Sequence, residues 1–260
     1  DLVKQGTGQL TITGANSFSG DTILDGGTLT VQDVEAVGTS SITQTDGNST
    51  LIFDSTGTFD NDLSIYNVEF LQGGLTISGN IIANNTTYNI ASGVITVSGN
   101  ITSANTDPDD VGDSPEPVGG VTKTGAGTLI LSGTNTYMGA TDVQEGILRA
   151  GAVTTVFGDN SATTVATGAF LQLNGFSNSI GSLAGAGTVE NANATAATLT
   201  TGGDDTSTTF SGVLQDGTGG GALSLTKTGT GTLTLSGANT YTGVTTVSAG
   251  ILGVQNSSAL

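Results

Sequence analysis

Lys227 to Val254 reads KTGTGTLTLSGANTYTGVTTVSAGILGV, and this stretch decides the fold. Leu233 and Leu235 alternate with Thr232 and Thr234. Alternation of aliphatic residues with Thr predicts a strand with one face buried and one face wet. Ser236-Gly-Ala-Asn239 follows as a turn, because Gly and Asn tolerate positive φ. Thr245–Val247 predicts a second short strand, and another Gly turn leads to a third at Leu252 and Val254.

The same stretch occurs twice more. Lys4 to Val31 reads KQGTGQLTITGANSFSGDTILDGGTLTV, and Lys123 to Ala150 reads KTGAGTLILSGTNTYMGATDVQEGILRA. The three copies, 4–31, 123–150 and 227–254, align without a gap. The shared positions include the Lys, two Gly, an Asn, an aromatic residue (Phe18, Tyr137, Tyr241), a Thr and a late Gly-x-Leu. A finer period runs beneath them. Leu10 and Leu29, Leu129 and Leu148, and Leu233 and Leu252 are each 19 apart, and Leu75-Thr-Ile-Ser-Gly-Asn recurs 20 residues on at Ile95. Short strands, Gly turns and a period near 20 predict a β-solenoid, in which each coil buries its face on the next. Coils stacked at about 4.8 Å would make a rod roughly 50–60 Å long. We expect one continuous unit over 1–260. Degenerate coils at Leu51–Phe53, Leu63–Ile65, Val68–Phe70 and Phe170–Leu173 fill the space between copies. One acidic excursion loop, 105–120, holds all three Pro and five acids.

Composition narrows the chemistry. The 260 residues include 22 acids, four bases, no His and no Cys, for a net charge of -18. Missing His removes Ser-His-Asp catalysis and His metal sites. Missing Cys removes thiolate nucleophiles and disulfides. Four bases do not make a phosphate-binding surface, so no nucleic acid partner is expected. No apolar run is long enough to insert in a membrane, and no signal peptide is visible. Three of the four bases are one repeated Lys whose role the sequence leaves open; the fourth is Arg149.

The motif K-T-G-x-G-T-L-x-L-S-G-x-N-T-Y-x-G-x-T-x-V-x-x-G-x-L resembles the passenger-associated repeats of bacterial autotransporters. Leu171–Val189 and Phe210–Gly217 resemble segments those proteins place between copies. The resemblance implies an all-β, right-handed parallel β-helix exposed on or released from a bacterial cell surface. It also implies a C-terminal membrane barrel elsewhere in the protein. Both ends of the chain fall inside repeats, so we expect a fragment of a longer rod.

Each candidate site is weighed against a structural role. Asp54, Asp60 and Asp62 are the best local carboxylate cluster for glycoside or polysaccharide chemistry, and they also read as solvated turn residues. Arg149 is the one candidate lyase base, although no acid is evident at a matching coil. Asp107, Asp109, Asp110 and Asp113 are the calcium candidates, with spacing that fits no EF-hand. The Gly-x-Gly pairs lack the third Gly of a dinucleotide fingerprint. Thr-rich strands suggest ice or carbohydrate binding only if the array recurs on every coil. The aromatic position is expected to close a turn rather than form a sugar platform. We expect no catalytic residue and no cofactor other than calcium. The expected role is a structural stalk or passenger segment in adhesion or biofilm association. Its partners would be other rods, surface ligands or glycans. A β-helical polysaccharide hydrolase or lyase, or a glycan-binding module, is the alternative.

Overall fold

The computed structural model describes residues 1–103, 119–153, 155–158 and 160–256. These residues form 28 short strands and no helix. Every strand pairing is parallel, in sheets of 16, eight and four strands. The chain is therefore a β-solenoid of about twelve coils. Among the described residues no helix is long and apolar enough to cross a membrane.

The predicted periods are the pairing registers. Leu10 pairs with Leu29, Leu129 with Leu148 and Leu233 with Leu252. Thr76 and Ile77 pair with Thr96 and Val97, 20 residues on. Alternation of side chains across each strand then stacks like on like. One interior column runs Leu10, Leu29, Leu51, Val68, Tyr88, Lys123, Val143, Val165, Gly185, Phe210, Leu235, and ends at the exposed Val254. A second runs Ile95, Leu129, Leu148, Leu171, Val189, Leu214. All six of those are fully buried or nearly so. Each large aliphatic side chain so placed contributes about 1.5–3 kcal/mol. Phe53 packs edge-on against Phe59 at 4.9 Å and stacks with Phe70 at 5.6 Å, thickening the core of the early coils.

The degenerate coils are full members of the stack. Leu63–Phe70 is one eight-residue strand. It pairs over most of its length with the ten-residue strand Ile81–Ile90. That longer strand then pairs with Ile101–Ser103 through its first half and with Val121–Thr124 through its second. The acidic segment between those two partners, with the calcium candidates Asp107, Asp109, Asp110 and Asp113, lies outside the described residues.

One local reading is corrected. The Gly of the Ser/Thr-Gly-x-Asn turn is not there for positive φ. Gly14, Gly133 and Gly237 are absent from the left-handed region, and so are Asn16, Asn135 and Asn239. Instead, a Cβ on Gly133 would lie 2.1 Å from the Gly99 carbonyl oxygen, and one on Gly237 would lie 1.8 Å from that of Gly212. At Gly133 and Gly237 the turn sits backbone on backbone with that of the neighbouring coil, with no room for a side chain. The Gly that do need positive φ lie elsewhere in the repeat, at Gly6, Gly125 and Gly229 and again at Gly27, Gly146 and Gly250.

Candidate functional site

The most distinctive polar geometry is the corner where each repeat begins. Lys4, Lys123 and Lys227 are all buried, at 8%, 0% and 1% exposure. Period-2 alternation turns each Lys inward, and its stem stacks in the core; Lys123 lies in register between Tyr88 and Val143. The ammonium then reaches the corner and donates to main-chain carbonyls. Lys4 Nζ contacts the carbonyl oxygens of Gln5, Gly6 and Gly26 at 3.0, 2.8 and 2.9 Å. Lys123 Nζ contacts those of Thr124, Gly125 and Glu145 at 2.8, 2.7 and 3.2 Å. Lys227 Nζ donates to Thr228 and, at 3.2 Å, to Gly229. The acceptors come from the Lys's own turn and, for Lys4 and Lys123, from the next coil as well. The repeated Lys is thus a clamp whose buried stem brings an ammonium to partly exposed corner carbonyls.

Burial pushes the Lys123 ammonium down to about 8, against a smaller upward pull from Glu145. The unfolded chain keeps that proton until near the ordinary value of 10.5. Between these values the unfolded state binds more protons than the folded one, so the stability traceable to Lys123 rises with pH. We predict that the stability gap between the wild type and Lys123→Met widens from pH 8 to pH 10 in urea titrations. A gap that narrows would contradict this.

The repeat's other fixed positions are also structural. Asn135 Oδ1 accepts from Ile101 N at 2.8 Å, one coil back, while its Nδ2 donates to the Val156 carbonyl at 2.6 Å, one coil forward. Asn16 Nδ2 donates to Ala36 O at 2.7 Å, and Asn239 Oδ1 accepts from Leu214 N at 2.8 Å. The aromatic residue closes the turn, as expected. Tyr137 OH lies 2.8 Å from Thr141 Oγ1, and Tyr241 OH lies 2.6 Å from Thr245 Oγ1. In the first copy the ring is Phe18, and the Thr22 hydroxyl is buried without a partner. Phe18→Tyr should supply that partner and stabilise the chain by about 1 kcal/mol, read as a higher urea midpoint. An unchanged or lower midpoint would contradict the pairing.

The catalytic candidates are absorbed into the ladder between coils. Asp54 accepts from Gln32 Nε2 at 2.9 Å and from Gln72 Nε2 at 3.0 Å. Asp60 accepts from the Ser78 hydroxyl, and Asp62 Oδ1 accepts from Asn80 N at 2.7 Å. The ladder continues as Asn80 Oδ1 accepts from Asn100 N at 3.2 Å, and Asn100 Oδ1 from Thr134 N at 2.9 Å. A groove of about 540 Å³ crosses the first three coils. Its carboxylates are Glu35 and Asp60, both exposed. Among the described residues no three acidic groups gather as a metal site would require.

The reading of Arg149 as lacking an acid at a matching coil is corrected. The outward row Arg149, Gln172, Glu190, Gln215 is in register over four coils. Arg149 Nε donates to Gln172 Oε1, Gln172 Nε2 to Glu190 Oε1, and Gln215 Nε2 to Glu190 Oε2, each at 2.6 Å. Glu190 thus balances Arg149 through a Gln, two coils away rather than on the adjacent one. Spacings of 23, 18 and 25 residues at outward positions are the signal the sequence carries. A fixed period misses them because loop lengths vary.

The passenger-associated-transport-repeat family matches residues 2–31, 121–150 and 225–254, each of which opens just before a clamping Lys. Over 141 residues the chain is 37% identical to the adhesin BmaC autotransporter of Brucella suis biovar 1 (strain 1330), covering 52% of this chain and 4% of that protein. The chain thus spans a small fraction of the length of this curated relative. No solved structure matches. The chain therefore carries three copies of the passenger-associated-transport-repeat, one at each of its three lysine-clamped corners.

Proposed function

We propose that this chain is a rod segment of a surface-displayed, adhesin-type autotransporter passenger, acting by spacing and contact rather than by catalysis. The observation that carries this reading is the fate of the residues able to do chemistry. Lys4, Lys123, Arg149 and the Asp54, Asp60 and Asp62 carboxylates hold one coil to another, and Lys227 fastens its own turn. Similarity to an adhesin autotransporter supports the adhesive part. In the whole protein, a membrane barrel beyond this segment would anchor the rod outside the cell. The net charge of -18 keeps rods apart at low ionic strength, and screening with divalent cations lets them meet.

The test is adhesion by folded rods. Beads coated with the chain should cluster with one another, or hold to cultured cells, in the presence of salt and calcium. Beads coated with the urea-unfolded chain should not. Coated beads that behave as bare beads would remove the adhesive role. Reducing-sugar release from acidic glycans would replace the reading with the enzymatic alternative.

A further inference from the structure

The lysine corner has a property beyond clamping. Around each of the Lys4 and Lys123 ammonium groups, three carbonyl oxygens converge at 2.7–3.2 Å. No carboxylate oxygen is among these contacts. Two glycines with positive φ shape each corner, Gly6 with Gly27 and Gly125 with Gly146. The missing side chains of Gly27 and Gly146 are what leave the space. A Cβ on Gly27 would come within 2.4 Å of the Gly6 and Gly8 carbonyls and 2.7 Å of Lys4 Nζ. A Cβ on Gly146 would come within 2.5 Å of the Gly125 and Gly127 carbonyls. The main chain of two successive coils, not a set of side chains, therefore builds the cradle.

We propose that the Lys4 and Lys123 corners are main-chain sites for an ammonium ion, and that the repeat occupies them with its own tethered lysine. Neutral carbonyl dipoles at hydrogen-bonding distance suit a singly charged donor of several N–H bonds. A hard divalent ion, by contrast, gathers about 6–8 oxygens with carboxylates among them to balance its charge. Cutting the tether leaves the site intact and open to a free ammonium or small primary alkylammonium ion, the latter also filling the channel left by the stem. Such binding to the folded state alone stabilises it by mass action.

The experiment uses the full chain carrying Lys4→Ala and, separately, Lys123→Ala. Each is melted in about 0.5 M ammonium, propylammonium or tetramethylammonium chloride, so that ionic strength is held constant. Propylammonium should raise the Tm of each variant by about 4 °C over tetramethylammonium, with ammonium between, and should leave the wild type unmoved. Equal melting in all three salts, or an equal shift in the wild type, would overturn the proposal. Should Lys123→Ala fail to fold in any of them, Lys4→Ala, whose corner lies at the first coil, decides between the two outcomes.

Discussion

Lys123→Met should lower stability by about 2–4 kcal/mol at pH 7, seen as a lower urea midpoint with an unchanged slope. Met fills most of the channel between Tyr88 and Val143, so little of the loss comes from packing. What disappears is the only donor that the Thr124, Gly125 and Glu145 carbonyls are shown to receive from a side chain. Left without it, each of these partly exposed turn carbonyls loses a hydrogen bond to a charged donor, worth about 1.5–3 kcal/mol. Set against this is the cost of burying an ammonium, the same desolvation that lowers its pKa. Loss of three acceptors' partner outweighs relief of one buried charge. If Lys123→Met were more stable than the wild type, the clamp would be a burden and not a fastening.

Gly133→Ala should cost about 3 kcal/mol or more, although alanine normally favours order over glycine. Its Cβ would come 2.1 Å from the Gly99 carbonyl oxygen and 2.7 Å from that carbonyl's carbon, both rigid backbone in the coil below. No rotamer change relieves the clash, so the turn itself must lift and weaken the pairing on either side. Gly14→Ala is the matched control. It occupies the same repeat position in the first copy, where nothing lies within 4 Å of the added carbon. It should change stability by less than about 0.5 kcal/mol in the same assay. Equal effects at both positions would show that the glycine serves backbone freedom after all.

These contrasts locate what the sequence discloses. Leu10 and Leu29, or Thr76 and Thr96, announce their pairing because coil length is constant there and alternation repeats the same face. The fold class is therefore readable from one 28-residue stretch and its period. The corner is not. Nothing in Lys-x-Gly states that the ammonium folds back onto carbonyls, since those acceptors are main chain and carry no residue identity. The turn glycine is recognisable as necessary, yet its local context suggests the wrong cause, because close approach of another coil is a long-range fact. Arg149 and Glu190 are separated by coils of unequal length, which hides a ladder from any fixed period. Phe18 is the reverse case. The substitution is plain in the alignment of copies, but only the structure shows that it strands the Thr22 hydroxyl.

The central claim is that successive coils stack in parallel at the stated register. Engineered disulfides test it most directly, in a chain with no Cys of its own. Thr76 and Thr96 are in-register neighbours on the outer face. Parallel strands about 4.8 Å apart fall within disulfide range. Thr58 pairs with Thr76 and so lies two strands from Thr96, about 9.6 Å away and beyond that range. Thr76→Cys with Thr96→Cys should therefore oxidise fully in the native chain, while Thr58→Cys with Thr96→Cys should stay reduced, and both should oxidise alike in urea. Native oxidation of the second pair, or failure of the first, would contradict the stacked-coil account.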